Sequence, residues 1–281
     1  MSLSILNNIP SIVAQNQLSI TNSNLQKTLF RLSSGSRINS GADDAAGLAI
    51  ADGLKANITA LTQSAQNASG GVGALQVSDG ALAQVTTLLN RAVTLATESA
   101  NGTVSSGQRV ALNAEFTQIK AEIDRIGGST TFNGTSVFTA NTTSIFLTDA
   151  SSAQANNVIS VNVGLLSQST IAYNGSTVDL SADTLTSDSA ATTALGHVNS
   201  AIANVAGLRG SIGASINRLQ SAVNVINAQV QNLTSAEDGI RAADIPSEVA
   251  NLSRYTILNQ SGISALAQAN STQQSILNLL R

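Results

Sequence analysis

The sequence is poor in the residues that form disulfides, aromatic cores and charged surfaces. Its 281 residues include no Cys and no Trp, while aromatic residues make up 2% and charged residues 10% of the chain. The absence of Cys excludes disulfides and thiolate metal sites. A net charge of -3 without clustered Lys and Arg argues against nucleic acid as a partner, because phosphate neutralisation needs such clusters.

Aliphatic and uncharged polar residues make up the balance. Hydrophobic residues account for 42% of the chain, which is enough to bury an aliphatic core. A surface rich in Ser, Thr, Asn and Gln has little charge to desolvate, so it can pack closely against copies of itself. The composition therefore predicts self-association.

No secretory signal and no membrane-spanning segment is predicted. The first eight residues lack both the basic region and the long apolar run of a signal peptide. No window of about 20 residues is apolar enough to span a bilayer. We expect no membrane as a partner, and an export route of another kind if the protein leaves the cell.

The strongest pattern is a stripe of twelve positions, spaced alternately three and four apart, near the C-terminal end. Its members are Leu195, Val198, Ile202, Val205, Arg209, Ile212, Ile216, Leu219, Val223, Ile226, Val230 and Leu233. Only Arg209 is not aliphatic. Such spacing predicts one helix of about 58 Å with a seam that meets other helices. A compact chain of this length would be about 50 Å across, so we expect a rod-shaped molecule.

Two helices are predicted in the first hundred residues. The first carries two adjoining stripes: Leu6, Val13 and Ile20, then Leu18, Leu25, Leu29 and Leu32. It ends where Gly35 can adopt a left-handed conformation. The second begins at Asp43-Asp44, which can serve as N-cap and first-turn acid. Gly70, Gly71 and Gly73 either interrupt it or mark a close approach. Beyond them Leu75, Leu82, Leu89 and Ala96 repeat every seven residues.

Two more helices and a different central stretch complete the prediction. One helix carries Leu112, Phe116, Ile119, Ile123 and Ile126 and is closed by Gly127-Gly128. From 139 to 190 short β-like runs appear, with a strand at 158–163 and a turn at 173–176. This stretch has four Asp and no Lys or Arg, so we expect it to face water. After a link at 235–245, Pro246 is acceptable in the first turn of a last helix.

The expected fold is mainly α: an elongated antiparallel bundle of long helices, with terminal coiled-coil helices and a small β-hairpin region in the middle. The last helix again has the three-four spacing, at Ile263, Leu266, Asn270, Gln273, Leu277 and Leu280. A single pair of short helices is marginally stable once ordering entropy is subtracted. The end helices are therefore expected to order mainly among copies of the same protein.

No arrangement of residues indicates an enzyme, a metal site or a cofactor. His197 is the only His and is expected to be exposed and without a partner of the kind that a triad or metal site needs. The sequence lacks His-Glu-x-x-His. The carboxylate pairs at 43–44 and 237–238 lie at predicted helix starts, where capping is their expected role.

Several segments resemble bacterial flagellin. The segment 31–50, Arg-Leu-Ser-Ser-Gly-Ser-Arg-Ile-Asn-Ser-Gly-Ala-Asp-Asp-Ala-Ala-Gly-Leu-Ala-Ile, is similar to the most characteristic stretch of that family. The segment 131–134 resembles its turn after the third helix. The C-terminal segments 248–254, 266–270 and 277–281 resemble its closing signature. The likeness covers about 1–138 and 190–281.

The resemblance implies a structural subunit, secreted without a signal peptide, that polymerises into the extracellular flagellar filament and gives swimming motility. It implies an inner, filament-core domain of 1–42 with 241–281. A rod-like helical domain of 43–138 with 190–240 would include the hairpin segment 139–189, without the family's outer variable domains. The residues expected to drive self-assembly are Leu6, Val13, Ile20, Leu25, Ile263, Leu266, Leu277 and Leu280.

The resemblance also implies partners. These are an export chaperone, the filament cap, the hook-filament junction proteins and host innate immune receptors. The residues that match a toll-like receptor site are Arg91, Leu95 and Glu115, and those that match an inflammasome-sensor contact are Leu277, Leu279 and Leu280. Filament packing or a solvated helix face is the plainer interpretation of each. Alternative functions are a hook-filament junction protein or a secreted coiled-coil adhesin or effector.

Overall fold

The computed structural model describes residues 8–139, 143–147 and 158–279. Within them five helices carry most of the chain: α1 Ile9–Ser34, α2 Ala45–Ser99, α3 Ser106–Ser129, α4 Asp188–Arg241 and α5 Ile245–Leu279. Short strands occupy the chain between α3 and α4. The predicted mainly α fold with long helices and small central sheets is confirmed.

The strands form three small antiparallel sheets. They are β1 Thr131–Phe132, β2 Thr135–Ser136, β3 Thr143–Phe146, β4 Val158–Val161, β5 Leu166–Ser167, β6 Thr170–Tyr173 and β7 Ser176–Val178. β1 pairs with β2, β3 with β4, and β6 with both β5 and β7. The predicted turn joins β6 to β7, with Asn174 at φ 48° and Gly175 at φ 82°. Two consecutive positive φ angles are what a two-residue hairpin of this kind requires.

The chain divides into two compact units. One, called here the terminal unit, combines the residues up to Ala56 with those from Asn232 onward. The other, the central unit, runs from Asn57 to Gln231. Helices α2 and α4 contribute residues to both units, whereas α1 and α5 belong to the terminal unit alone.

The core of the central unit follows the predicted seven-residue repeats. On α2 the buried positions are Leu75, Leu82, Leu89 and Ala96, and on α4 they are Val198, Val205, Ile212, Leu219 and Ile226. The remaining members of the long stripe, including Arg209, are only partly buried. Arg209 forms an ion pair with Asp79 of α2, with Nε 2.8 Å from Oδ1. Arg209, the one member of the stripe that is not aliphatic, therefore lies at the edge of the core, where its charge is paired.

The central β segment does not face water throughout, as its composition suggested. Ile145, Ile159 and Ile171 are buried in the same hydrophobic cluster as α2, α3 and α4. The chain after β7 is held by Lys120 of α3, whose ammonium donates to the backbone oxygens of Leu180, Ser181 and Asp183. The expectation that this acidic segment faces water therefore holds for only part of it, because alternate apolar residues of the strands point into the core.

Two glycines inside helices, Gly71 of α2 and Gly127 of α3, mark close approaches of the chain. α2 continues through Gly70, Gly71 and Gly73, and a Cβ on Gly71 would overlap the side chain of Ile145. Gly127 also lies within a helix, so the prediction that Gly127-Gly128 closes α3 was wrong. A Cβ at Gly127 would overlap the backbone oxygen of Leu166.

The predicted helix ends were correct where they depend on local geometry. α1 ends at Gly35, at φ 67°, and the Asp44 carboxylate caps α2 by accepting from the backbone nitrogen of Gly47 at 2.9 Å. Asp43 instead accepts from the turn before the helix. The predicted link at 235–245 was wrong over most of its length, because α4 continues to Arg241.

Among the described residues no helix has the length and hydropathy needed to cross a bilayer.

Candidate self-assembly surface

α1 and α5 pack side by side as an antiparallel pair. At one end the Asn8 side chain donates to the Asn270 side-chain oxygen at 3.4 Å. At the other end Arg31 lies 3.4 Å from Glu248, Nη1 to Oε1. Both terminal helices were predicted to be seam helices, and the structure pairs them with each other within one subunit.

The seam between the two helices is largely polar or small. Its covered positions on α5 repeat every four and three residues: Glu248, Leu252, Tyr255, Asn259, Gly262, Leu266, Ala269 and Gln273. On α1 they include Ser11, Leu18, Thr21, Leu25, Thr28 and Leu32. Thr21 and Thr28 are among the most buried residues of α1. The five leucines of the seam are only partly buried and most of its other residues are polar or small, so the seam stabilises the pair weakly.

Most of the large apolar side chains of the pair lie outside the seam. Eleven of them are 42–63% exposed: Ile9, Ile12, Val13, Ile20, Leu29 and Phe30 on α1, with Ile245, Val249, Ile257, Leu258 and Ile263 on α5. We call this set the aliphatic face. A soluble helix pair normally has the opposite distribution, with apolar residues inside and polar ones outside. Exposed apolar surface on this scale marks an interaction surface.

The predicted assembly residues do not share one surface. Val13, Ile20 and Ile263 belong to the aliphatic face, while Leu25 and Leu266 are half-buried in the seam. Leu6 and Leu280 lie outside the described residues. For Leu277 and Leu279 only the helical backbone is described. Of the second stripe predicted on the first helix, Leu18, Leu25 and Leu32 pack within the pair, whereas Leu29 lies on the aliphatic face with Val13 and Ile20.

Hydrogen bonds join the chain just after α1 to the chain just before α5. We call this region the joint, and the sequence did not reveal it. Ser36 and Ala242 form an antiparallel β-bridge, and Gly35 accepts from the backbone nitrogen of Ala243 at 3.0 Å. The Arg37 guanidinium donates to the Ile240 oxygen at 2.8 Å, at the C-terminal end of α4. A basic residue suits a helix C-terminus, but the partner helix lies some two hundred residues away in sequence.

The Asp43 carboxylate stabilises the turn between this joint and α2. Asp43 Oδ2 accepts from the backbone nitrogens of Asn39 and Ser40 and from the Ser40 hydroxyl at 3.1 Å. These hydrogen bonds, that from Asn39 first, hold the pKa of Asp43 below its ordinary value of 3.8. The turn is therefore fastened by a charged group at neutral pH.

The predicted toll-like receptor residues are brought together only in part. Arg91 and Glu115 form an exposed two-pronged ion pair, with Nε to Oε1 at 2.7 Å and Nη2 to Oε2 at 3.0 Å. The hydrogen bond from Arg91 lowers the pKa of Glu115. Leu95 has no exposed surface. The prediction of a receptor contact through Leu95 is therefore wrong for the folded chain, because the Leu95 side chain points from α2 into the core.

The single histidine has a partner after all. His197 Nδ1 lies 2.9 Å from Asp183 Oδ1, so the expectation of an unpartnered His197 was wrong. The pair joins α4 to the segment after β7. Within residues 8–139, 143–147 and 158–279 no group of three His, Cys, Asp or Glu side chains could hold a metal ion.

Two family models match the chain. That of the bacterial flagellin N-terminal helical region matches residues 5–143, and that of the C-terminal helical region matches residues 195–280. The matched segments contain α1 to α3, most of α4 and all of α5. Each of the two models therefore includes one partner of the α1–α5 pair.

Similar proteins cover nearly the whole chain. The flagellar filament 33 kDa core protein of Treponema phagedenis is 34% identical over 285 residues, which span 98% of each chain. A flagellin of Halalkalibacterium halodurans is 34% identical over 281 residues, again 98% of each. A structure described as a flagellar hook-associated protein of Vibrio parahaemolyticus has a TM-score of 0.57 at 13% identity. It covers 71% of this chain and 100% of its own, and shows a shared fold. From the family models and these full-length relatives together, the chain belongs to the bacterial flagellin family.

Proposed function

We propose that the protein polymerises by burying the aliphatic face of its α1–α5 pair against the same pair in neighbouring copies. The observation that carries this proposal is the inverted distribution of side chains, with Val13, Ile20 and Ile263 outside and Thr21 and Thr28 inside. A surface of that kind has no use in an isolated subunit. It is suited to a polymer in which each pair is surrounded by others.

The setting of this assembly follows from the family. As a flagellin, the protein is a structural subunit of the bacterial flagellar filament, exported from the cell, and swimming motility is the role that the family implies. The filament is extracellular. The proposal concerns which surface of this chain holds the polymer together.

The energetics support assembly through the terminal pair. Burying an exposed aliphatic side chain contributes about 1.5–3 kcal/mol. The polar seam contributes less, and two isolated helices of this length are marginal in water. The pair is therefore expected to gain most of its order when neighbouring copies cover the aliphatic face, so that folding of the ends and polymerisation occur together.

We propose the same division into an inner and a rod-like domain that the family resemblance implies. Residues 1–42 with 241–281 would form the inner, filament-core domain, and both segments lie within the terminal unit. Residues 43–138 with 190–240 would form the second domain. The hairpin segment 139–189 would belong to it, which the burial of Ile145 and Ile171 against the helices of the central unit supports.

The remaining partners are those of a secreted filament subunit. We infer an export chaperone, a filament cap and hook-filament junction proteins as partners. Host innate immune receptors would meet the exposed pair Arg91 and Glu115, and an inflammasome sensor would meet the end of the chain at 277–280. We assign the protein no reaction, because the family to which it belongs supplies structural subunits.

Seeded polymerisation tests the aliphatic face directly. Val13→Asp with Ile263→Asp places charges on two exposed aliphatic positions without altering the seam. Filament growth on seeds, followed by sedimentation and electron microscopy, is expected to stop while the subunit stays soluble. The matched control is Ser23→Asp with Gln260→Asp, which adds the same charges to exposed polar positions on the same helices.

A second variant tests the seam stripe. Leu266→Asp with Leu277→Asp should also yield a soluble subunit that does not extend seeds. Filaments of normal length from the Val13→Asp, Ile263→Asp subunit would overturn the proposal. Loss of growth in the Ser23→Asp, Gln260→Asp control as well would show that added charge alone prevents assembly, and would equally count against it.

A further inference from the structure

We propose that Asn133 is a site of spontaneous deamidation, at which the side-chain amide is lost through a cyclic imide formed with Gly134. The same chemistry is open to Asn101 and Asn174, since a glycine follows each of them as well. The fold protects those two residues and leaves Asn133 reactive. Water is the only co-reactant.

The reaction exchanges one amide for one carboxylate. The Gly134 nitrogen loses its proton to solvent and attacks Cγ of Asn133, so that an N–Cγ bond forms. The Cγ–Nδ2 bond breaks, and the departing nitrogen takes a proton from water and leaves as ammonia. Water then opens the imide at either carbonyl. Opening at Cγ yields aspartate, and opening at the main-chain carbonyl yields isoaspartate, in which the chain runs through Cβ and Cγ.

Neither the sequence nor solvent exposure ranks the three sites. Because the second residue of each pair is glycine, no side chain hinders the attack of its nitrogen. Asn101, Asn133 and Asn174 are all exposed, so water reaches each of them. A difference in rate must therefore come from the backbone.

The backbone of both hairpin turns opposes ring closure. The imide ring includes the Cα–C bond of Asn, and closing it turns the ψ angle far from that of a left-handed residue. Asn133 at φ 50° and Asn174 at φ 48° lie in the left-handed region. Turning ψ alone would give a positive-φ conformation that turns reserve for Gly. The hairpin must therefore open first, and the rate follows the population of the opened form.

The turn at Asn133 is weakly held. β1 and β2 share the two residue pairs Thr131↔Ser136 and Phe132↔Thr135. Residues 131–135 are exposed, and within the described part of the chain no side-chain hydrogen bond holds residues 131–136. Only the ring of Phe132, which lies next to Gly73 of α2, packs against a helix. A two-stranded hairpin with so little support opens readily in water.

The turn at Asn174 is held to α4 by a buried amide. Asn204 Nδ2 donates to the backbone oxygen of Ile171 in β6 at 2.9 Å and to that of Ser176 in β7 at 3.1 Å. The Tyr173 ring lies against Gly207, where a Cβ would overlap it. Opening this hairpin breaks these contacts, so its opened form is populated less.

Asn101 is held by bonds to its own carbonyl oxygens. Its Oδ1 accepts from the Thr103 nitrogen at 3.2 Å. Its backbone oxygen accepts from the Val104 nitrogen and from Arg109 Nη2, both at 3.1 Å. Turning ψ toward the imide would swing this backbone oxygen away from both donors. We expect Asn101, like Asn174, to react more slowly than Asn133.

The isoaspartyl product would not fit the turn that it replaces. The loop between β1 and β2 has two residues, with Asn133 at φ 50° and Gly134 at φ 75°. An additional carbon in the main chain breaks the register that such a short loop imposes on its strands. Conversion at Asn133 therefore releases Phe132 from α2, and each event adds one negative charge to the central unit.

Peptide mapping of the full-length subunit tests this assignment. The protein is incubated at mildly alkaline pH, which promotes attack by the glycine nitrogen, and sampled over days. Digestion at mildly acidic pH is followed by chromatography, which separates aspartyl from isoaspartyl peptides, and by mass spectrometry. Asn133 should convert about tenfold faster than Asn174, a factor that the two hydrogen bonds from Asn204 can supply. In urea the three sites should react at similar rates.

Variants of α4 test the protection of Asn174. Asn204→Ala should raise conversion at Asn174 about tenfold and leave Asn133 unchanged. Tyr173→Ala, which removes the ring from Gly207 and leaves no buried polar group unpaired, should change the rate in the same direction and serves if Asn204→Ala does not fold. Asn199→Ala, at an exposed position of α4, is the matched control and should alter neither rate.

Three results would overturn the inference. Equal conversion of Asn133 and Asn174 in the folded subunit would show that the two hairpins do not differ in opening. A preference for Asn133 that persists in urea would place its cause in the sequence instead of the fold. Unchanged conversion of Asn174 in a folded Asn204→Ala or Tyr173→Ala subunit would remove the role of α4 in its protection.

Discussion

Leu166 places its backbone oxygen directly against Gly127, so that any side chain at position 127 would overlap it. Because the obstacle is backbone, it cannot move aside as a flexible side chain could. Gly127→Ala is therefore expected to destabilise the central unit by about 1–3 kcal/mol, as overpacking of a core contact does. Urea unfolding followed by circular dichroism measures the change.

The next residue provides the control for this prediction. A Cβ on Gly128 would meet nothing within 4 Å, and the residue also lies inside α3. Gly128→Ala should therefore stabilise the helix by about 0.5–1 kcal/mol. Changes of the same sign in both variants would contradict the close approach of Leu166.

We expect a substitution of Leu95 to lower the stability of the protein before it affects recognition by a receptor. Its side chain is fully buried, so Leu95→Ala is expected to destabilise the central unit by about 2–5 kcal/mol through the cavity that it leaves. Arg91→Ala, at an exposed position one turn away, should change stability little. Thermal unfolding compares the two. A Leu95→Ala protein as stable as the parent would show that this position is not in the core.

The Arg91–Glu115 pair should be visible in a titration. Arg91 holds the pKa of Glu115 below 4.5, chiefly by a side-chain hydrogen bond. A depressed carboxyl pKa contributes stability above the unfolded value, and this contribution is lost as the pH falls through the folded value. In Arg91→Ala the pKa of Glu115, measured from its carboxyl carbon shift by NMR, should rise toward 4.5. No rise would mean that the ion pair is absent in solution.

Lys120 is expected to stabilise the fold more than an exposed lysine does. Its ammonium donates to the oxygens of Leu180, Ser181 and Asp183 at 2.8–3.1 Å while almost completely buried. Lys120→Met keeps the length of the side chain but leaves these oxygens without their donor. We expect a loss of about 1–3 kcal/mol in the free energy of unfolding.

Lys27→Met is the matched comparison for Lys120→Met. Lys27 is exposed on α1, so the same replacement there should change the free energy of unfolding of the central unit by less than about 0.5 kcal/mol. Equal effects of the two replacements would show that the loss of a lysine charge, and not the three carbonyl contacts, is responsible.

Periodicity located the helices because each one repeats its apolar residues over many turns. Gly35 was predictable as a helix end because a left-handed residue is a local requirement. The end of α4 was not, since the polar run at 235–241 has the composition of a link. It stays helical where Arg241 pairs with Glu237 one turn earlier, at 3.6 Å, and with Asp52 of α2 at 3.7 Å. Contacts that are distant in sequence leave no trace in a local pattern.

The role of each stripe on α1 was also beyond the sequence. Leu18 and Val13 both belong to aliphatic repeats of seven, and a repeat specifies a face but not its partner. The structure places Leu18 against Gly262 and leaves Val13 exposed. Leu95 illustrates the same limit, since its resemblance to a receptor position said nothing of its burial.

Assembly through the aliphatic face, as proposed, would make the stability of the filament depend on temperature. Apolar burial near room temperature is driven by entropy and carries a large negative heat-capacity change. A polymer whose contacts are mainly aliphatic is therefore weakened by cooling, unlike one held by ion pairs or hydrogen bonds. With this face at its subunit contacts, the free subunit concentration in equilibrium with filaments would fall on warming from the cold and rise only as the helices themselves begin to melt.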